Sequence, residues 1–178
     1  MKKTLKGVTV ELMTGDIAAQ TGIDAVVNAA NAQLRIGGGV AGALHRAAGP
    51  GLEEECRPLA PIKPGEAVIT GGHNLPNSYV IHCLGPVYGA DRPEDKLLAD
   101  CYRNALRLAE DSKLESVAFP SISTGAFGYP MEDAAEVAFK TLKEVVPTLK
   151  NVKLVRFVLF GSDALEVHQK TAERILSL

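Results

Sequence analysis

The residues most able to do chemistry follow a short apolar run, Ala25–Val27, which is typical of a buried strand. Two asparagines, Asn28 and Asn31, come next, and three consecutive glycines, Gly37–Gly39, precede a helical segment that begins near Val40. A glycine-rich loop between a strand and a helix lets backbone N–H groups approach a phosphate at the helix N-terminus. The stretch therefore predicts an anion-binding loop. A loop that only turns the chain would show the same pattern.

Neither standard nucleotide-binding fingerprint applies to this loop. No lysine followed by serine or threonine closes it, as a P-loop requires, and its glycines are not spaced as G-x-G-x-x-G. The loop therefore predicts an anion site of another family.

A second loop of small residues follows another apolar run, Val117–Phe119. It reads Ser-Ile-Ser-Thr-Gly-Ala-Phe-Gly-Tyr-Pro from Ser121 to Pro130, and a helical pattern begins at Met131. Because it also lies between a strand and a helix, its backbone N–H groups are available in the same way.

Two further side chains follow predicted strands. Asp16 comes after the alternating run Val8–Met13, where it either caps a short helical turn or accepts a hydrogen bond from the exocyclic amine of a purine. Phe160 ends the last apolar run and would stack on a base.

In open α/β sheets, ligands bind beyond the carboxyl ends of the strands, which is where all of these residues lie. Two facing glycine-bearing loops would hold a diphosphate, with Asp16 and Phe160 holding a base at one end. The asparagines Asn28 and Asn31 would address a sugar hydroxyl at the other end. Base, diphosphate and second sugar together describe a ligand shaped like ADP-ribose.

The elements that position these residues alternate between strand and helix, which predicts a three-layer α/β/α sandwich with a mostly parallel sheet. Two of the predicted strands, Gly65–Thr70 and Ser78–Leu84, have no helix between them, so we expect the sheet to be mixed. The other predicted strands are Val8–Met13, Ala25–Val27, Val117–Phe119 and Val152–Phe160. The predicted helices are Val40–Ala48, Leu52–Arg57, Pro93–Ser112, Met131–Val146 and a terminal helix capped by Ser162 or Asp163.

Chain length, net charge and the lack of long apolar runs limit the domain count, the classes of partner and the expected location. The 178 residues fit a single domain spanning 1–178, and the net charge of −2 argues against general nucleic-acid binding. We find no apolar run long enough to span a bilayer and no signal peptide, so we expect a cytoplasmic location. We also expect a monomer.

The three cysteines and four histidines are scattered and predict neither a disulfide framework nor a metal site. We expect Cys83 and Cys101 in the core, His82 as a hydrogen-bonded core residue, and His45 in a structural or solvent-facing role. We predict no cofactor.

Taken together, the motifs resemble those of the macrodomain family. They are Asn28-Ala29-Ala30-Asn31, Gly37–Val40, Ile81-His82 with Gly85-Pro86, and Ala118–Gly125. The resemblance covers essentially the whole chain and implies a three-layer α/β/α fold with an ADP-ribose cleft. Its implied ligands are ADP-ribose, mono-ADP-ribosylated proteins and O-acetyl-ADP-ribose.

The resemblance also implies a role for each site residue. Asp16 binds the adenine amine with Ile17 beside it, and Phe160 stacks on adenine. Asn31 contacts the distal ribose and is the candidate catalytic residue. The first diphosphate loop comprises Gly38, Gly39, Val40 and Ala41, and the second comprises Ser123, Thr124, Gly125, Ala126 and Phe127, with Phe127 against the distal ribose.

One position departs from the family pattern. Hydrolases of the MacroD type carry an aspartate directly after the valine of the first loop, and here that position is Ala41. The loop instead resembles that of viral macrodomains, some of which hydrolyse mono-ADP-ribosyl groups without the aspartate. Two functions therefore remain open: a hydrolase that relies on Asn31 and substrate positioning, and a module that binds ADP-ribose without turnover.

Overall fold

The computed structural model describes residues 1–177, so Leu178, the last residue of the predicted domain, lies outside the described residues. The strands are β1 (Lys2–Leu5), β2 (Val8–Thr14), β3 (Ala25–Ala29), β4 (Ala67–Gly71), β5 (Tyr79–Cys83), β6 (Ser116–Phe119) and β7 (Leu154–Leu159). The helices are α1 (Gly39–Ala48), α2 (Pro50–Cys56), α3 (Glu94–Asp111), α4 (Met131–Val145) and α5 (Ser162–Leu176).

All seven strands form one sheet in the order β1-β2-β7-β6-β3-β5-β4. The five inner strands are mutually parallel, whereas the edge strands β1 and β4 each pair antiparallel with their neighbour. The predicted mixed, mostly parallel sheet is confirmed.

Helices cover both faces of the sheet, which makes three layers. On one face α1 and α2 pack against β3 and β4, and on the other α3, α4 and α5 pack against one another and against the sheet. The inner strand β3 shows why both faces are covered: Val26 and Val27 point to opposite faces, and each is fully buried in a different hydrophobic core. A strand covered on both sides is largely apolar for this reason, and the one polar side chain of β3, Asn28, is buried within hydrogen-bond distance of His82.

The three cysteines are free and buried, which confirms the prediction for Cys83 and Cys101. None of the helices among residues 1–177 is long and apolar enough to cross a membrane.

Two sequence predictions about elements were wrong. Strand β1 was missed, because its short run Lys2–Leu5 carries polar side chains that lie exposed at the sheet edge. The cap predicted for the last helix is also wrong: α5 begins at Ser162 with Gly161 as its N-cap residue, and no side chain caps it.

The topology creates a crevice at the middle of the sheet. Strands β6 and β3 are parallel neighbours, but the chain leaves β3 toward α1 on one face and leaves β6 toward α4 on the other. Loops that diverge to opposite faces leave a gap between them, and this is the usual place for a ligand in open α/β folds.

Candidate functional site

The five parallel strands end together at one edge of the sheet, here called the carboxyl edge. Four segments with predicted site residues leave it from adjacent strands: Asp16 after β2, Phe160 after β7, the second loop (residues 120–130) after β6, and the first loop (residues 30–38) after β3. Because neighbouring strands lie about 4.8 Å apart, the segments form a row in that order.

The first loop ends at the N-terminus of α1 without a side-chain cap. Gly38 is the N-cap residue, with φ −85° and ψ 180°, and only its carbonyl oxygen is used, accepting a hydrogen bond from the Gly42 N–H at 3.2 Å. Among residues 1–177, no acceptor is found for the N–H groups of Gly39, Val40 and Ala41. These donors and the positive end of the helix dipole are the groups that an anion needs at a helix N-terminus.

The glycines of this segment serve different purposes. A Cβ on Gly42 would lie 2.3 Å from the Gly37 carbonyl oxygen, so packing requires glycine there. Gly39 has a positive φ of 54°, which also favours glycine. At Gly38 the backbone is extended and a Cβ would meet open space. Neither conformation nor packing therefore requires glycine at Gly38, whereas an approaching ligand would.

The second loop also contains a glycine that neither conformation nor packing requires. Gly125 is exposed, has no positive φ, and a Cβ there would meet nothing within 4 Å. Two backbone hydrogen bonds fix the loop, Gly128 N–H to Gly125 O at 3.0 Å and Tyr129 N–H to Ser123 O at 2.9 Å. Among residues 1–177, no acceptor is found for the backbone N–H groups of Thr124, Gly125, Ala126 and Phe127.

Ser123 is the strained residue of the second loop. Its φ is +67°, an uncommon value for a residue with a side chain, and its buried hydroxyl has no hydrogen-bond partner among the described residues. The hydroxyl occupies the space that a Cβ on Gly85 would need, because the two would lie 2.1 Å apart. Sequence reasoning noted Gly85 only as part of a motif and missed this packing role, which no local sequence pattern reveals.

At the far end of the row, Asp16 caps the 3₁₀ turn Ile17–Ala19. Its Oδ1 accepts a hydrogen bond from the Ala18 N–H at 2.9 Å, so the capping role is present. Its carboxylate is exposed, and Oδ2 has no hydrogen-bond partner among the described residues. The second oxygen can therefore accept a hydrogen bond from a ligand while the first holds the turn.

Phe160 is the most unusual residue of the edge. It follows β7 directly and its side chain is 98% exposed, although large apolar side chains are normally buried. An aromatic ring presented to solvent next to a free carboxylate oxygen is suited to stacking on a purine base.

Asn31 shapes the first loop. Its side-chain Nδ2 donates to the Arg35 carbonyl oxygen at 2.8 Å, and its Oδ1 accepts from the Arg35 N–H at 3.0 Å. An amide has a second N–H and a second lone pair, so the partly exposed side chain can still bind a sugar hydroxyl.

Asn28, which was predicted to address a sugar hydroxyl, lies inside the sheet and not in the loop that follows β3, and its contact with a ligand stays a prediction. Asn28 lies within β3 and is 1% exposed, because the strand continues two residues beyond the predicted end at Val27. Its Nδ2 lies 3.1 Å from His82 Nδ1 on the neighbouring strand β5. Asn28 therefore acts within the sheet, two residues before the first loop begins.

His82 is a hydrogen-bonded core residue, as predicted. It is fully buried between Asn28 and Thr70, whose Oγ1 lies 2.9 Å from His82 Nε2. Burial first, and then the neighbouring His45, lowers the pKa of His82 to about 3. The ring is therefore neutral at physiological pH.

No acidic residue lies in the first turn of α1. Ala41 is 4% exposed, and His45, one turn later, is also buried, in keeping with a structural role. Burial lowers the pKa of His45, and neither ring nitrogen has a hydrogen-bond partner among the described residues. Among residues 1–177, no group of three His, Cys, Asp or Glu side chains is placed to hold a metal ion.

Comparison with known proteins finds close relatives. A family model described as Macro domain matches residues 27–138. Over 165 residues the chain is 44% identical to a Klebsiella pneumoniae protein named O-acetyl-ADP-ribose deacetylase, a match that spans 90% of this chain and 94% of that protein.

Solved macrodomain structures share the fold. The Oceanobacillus iheyensis macrodomain with ADP superposes with a TM-score of 0.95 at 39% identity, covering 99% of this chain and 96% of that one. The Trypanosoma brucei macrodomain in complex with ADP-ribose superposes with a TM-score of 0.84 at 36% identity, covering 90% of this chain and 68% of that one.

Proposed function

The chain belongs to the macro domain family, and from this membership we propose that it binds ADP-ribose along its carboxyl edge. The observation that carries the proposal is the pair Gly38 and Gly125. Each stands in one of two loops on neighbouring strands, each borders free N–H donors, and neither is required by conformation or packing. A diphosphate bound between the two loops would explain why both positions are glycine, because a side chain at either would occupy the space of the ligand.

The row of segments supports one direction for the ligand. Adenine lies at the β2 and β7 end, with its amine on Asp16 beside Ile17 and its ring on Phe160. The diphosphate crosses the crevice between β6 and β3, and the distal ribose lies beyond it, between Asn31 and Phe127. The remaining members of the two diphosphate loops, Gly39, Val40, Ala41, Ser123, Thr124 and Ala126, contribute mainly backbone groups.

For the reaction, we propose hydrolysis of mono-ADP-ribosyl groups on proteins or of O-acetyl-ADP-ribose, the substrate in the name of the Klebsiella relative. Asn31 would orient the distal ribose, while the N–H groups of both loops stabilise charge that develops on the phosphates. The substrate's own phosphate would activate the attacking water, because α1 offers no carboxylate in its first turn.

Ala41 supports a second function, a binding module that recognises ADP-ribose without turnover. General acid–base catalysis by a positioned side chain is worth about 10²–10⁴-fold in rate, and this site lacks the aspartate that supplies it in MacroD-type hydrolases. The cleft would be the same in both cases.

Binding is tested by calorimetry with ADP-ribose, ATP, ADP and NAD. We expect ADP-ribose to bind tightest, and we expect Phe160→Ala to lose about 1–3 kcal/mol of binding free energy, the value of one base–aromatic stack. Tyr79→Ala is the matched control, because Tyr79 is a partly exposed aromatic at the opposite edge of the sheet. Equal affinity of the Phe160→Ala protein for ADP-ribose would contradict the proposed pose.

Turnover is tested by a single-turnover assay on a mono-ADP-ribosylated protein at stoichiometric amounts. Release of the label would support the hydrolase, and label retained over hours would leave only the binding module. The Ala41→Asp variant gives the comparison, because it restores the carboxylate that MacroD-type hydrolases carry at this position and should speed hydrolysis by about 100-fold.

A further inference from the structure

A second concave surface lies beside the carboxyl edge. It is a groove of about 540 Å³ between the segment that follows β5 and the first turns of α4, here called the side groove. It is lined by Tyr88, Arg92, Pro93, Glu94, Asp95, Tyr129, Asp133, Glu136, Val137 and Lys140. Tyr129 lies at the end of the second loop, but none of these residues is among the predicted contacts to ADP-ribose.

The side groove shares a wall with that site. The Tyr88 N–H donates to the Phe127 carbonyl oxygen at 2.9 Å, and the Tyr129 N–H donates to the Ser123 carbonyl oxygen at 2.9 Å. The second loop therefore faces the cleft on one side and supports the groove on the other. With Phe127 against the distal ribose, as in the proposed pose, the groove lies at the end of the cleft from which a modified protein side chain would leave.

The charges of the side groove do not cancel. It contains four carboxylates and two cations, and both cations are already paired, Arg92 with Glu94 at 3.6 Å and Lys140 with Glu136 at 2.7 Å. Among residues 1–177, no cation lies within 4 Å of Asp95 or Asp133. Two unpaired carboxylates thus face one groove.

Tyr129 adds a polar group at the base of the groove. It is 5% exposed, and no hydrogen-bond partner of its hydroxyl is found among the described residues. Burial first, and then Asp95 and Glu94, raises the pKa of Tyr129 to about 12, so the hydroxyl stays protonated. The Tyr88 ring lies 4.9 Å away, centroid to centroid. Aromatic rings beside free carboxylates are a favourable setting for an organic cation.

Helix electrostatics alone do not explain this arrangement. Asp95 and Asp133 lie in the first turns of α3 and α4, where any acidic residue stabilises the helix dipole. Glu132 fulfils that role in α4 equally well, yet it does not line the groove. The dipole therefore accounts for acidic first turns but not for two unpaired carboxylates facing the same buried tyrosine.

We propose that the side groove binds a lysine or arginine side chain that flanks the modified residue of a mono-ADP-ribosylated protein. The proposal rests on the proposed function, because it needs ADP-ribose in the cleft to place the peptide beside the groove. It gives the protein a preference among modified proteins that contacts to ADP-ribose alone cannot supply.

The test compares two peptides that carry ADP-ribose through an unhydrolysable link, one with lysines and one with serines beside the modified position. We expect the wild-type protein to bind the lysine peptide about fivefold more tightly, the value of one or two exposed ion pairs. The preference should shrink at high salt. In the double variant Asp95→Asn with Asp133→Asn, both peptides should bind equally.

Two controls separate the groove from other effects. Glu132→Gln removes a carboxylate from the same helical turn as Asp133 but outside the groove, so the lysine preference should persist. Tyr129→Phe removes only the hydroxyl and should weaken binding of the lysine peptide while leaving free ADP-ribose unaffected. A preference that survives the double aspartate variant would overturn the proposal.

The same binding measurements distinguish failure of the side-groove proposal from failure of the proposed function. If free ADP-ribose binds but the wild-type protein treats the two peptides alike, the side-groove proposal is wrong and the proposed function stands. If free ADP-ribose and both peptides fail to bind, the proposed function is wrong and the groove proposal falls with it.

Discussion

At the scale of single residues, Asp16 shows how one side chain can serve the fold and a ligand together. Its Oδ1 is occupied by the Ala18 N–H, and its Oδ2 is free at an exposed position next to the end of β2. The sequence allowed either capping or purine recognition, and the geometry allows both at once. A mutation can therefore remove the role of Oδ2 in ligand binding while keeping the role of Oδ1 in capping the turn.

We predict that Asp16→Asn weakens ADP-ribose binding without destabilising the fold. Asparagine caps helical turns as well as aspartate does, so its Oδ1 keeps the turn. Its Nδ2 donates instead of accepting, so the adenine amine loses its partner, at a cost of about 1.5 kcal/mol or about tenfold in Kd. Calorimetry and thermal unfolding measure the two effects.

A base analogue provides the control for this variant. Hypoxanthine has a carbonyl oxygen where adenine has the amine, so the Asp16→Asn protein should bind inosine diphosphate ribose relatively better than the wild-type protein does. If the variant binds both ligands as the wild-type protein does, Asp16 does not contact the base.

At the scale of elements, the N-terminus of α1 forms half of the proposed diphosphate site. We predict that Gly38→Glu reduces ADP-ribose affinity by about 100-fold, because a charge about 5.5 Å from a phosphate costs about 3 kcal/mol at an effective dielectric constant of about 20. Gly38 is a sharper choice than Gly39, since the positive φ of Gly39 would strain any other residue.

The control for Gly38→Glu is Gly38→Gln, which has the same size and no charge. Its affinity should fall less, and the difference between the variants should shrink at high salt. If glutamate and glutamine have the same effect, bulk and not charge blocks the loop, and the case for a phosphate there is lost.

The cluster that joins β3, β5 and β4 through His82 leads to a prediction about pH. The pKa of His82 in the folded protein, about 3, lies below its ordinary value of 6.5, so unfolding takes up a proton at any pH between the two. Stability should therefore fall as the pH drops below 6.5, by about 2 kcal/mol at pH 5 from this residue alone. Denaturant unfolding across this range measures the slope.

Comparison with His82→Gln isolates this contribution, because the variant should lose less stability over the same range. Burial also lowers the pKa values of His45 and His168, so part of the slope should remain in the variant. Should the variant not fold, NMR titration of the wild-type His82 ring gives the answer. Protonation of the ring in the folded protein above pH 5 would contradict the prediction.

The sequence predicted the inner elements well, because buried strands and amphipathic helices have strong periodic patterns. It failed where an element depends on distant partners. The polar strand β1 exists only because it pairs with β2, and Asn28 lies inside β3 because His82 on β5 lies beside it. The pairing of Ser123 with Gly85 likewise depends on two loops meeting in space.

At the scale of the whole molecule, the two loops belong to different layers of the fold. The first loop continues into α1 on one face of the sheet, and the second continues into α4 on the other. The two faces have separate hydrophobic cores, with the sheet between them. A ligand held by both loops therefore connects two parts of the molecule that otherwise meet only through the sheet.

This arrangement predicts that ADP-ribose slows amide hydrogen exchange together in the second loop and in the first turn of α1, where the first loop ends. At about 100 times its Kd, the ligand stabilises the bound state by about 2.7 kcal/mol, and N–H groups that donate to phosphate should gain protection. We expect slower exchange at residues 39–41 and 124–127. The turn at residues 72–78, at the opposite edge of the sheet, should not change. Protection of one loop without the other would show that the diphosphate does not lie between them.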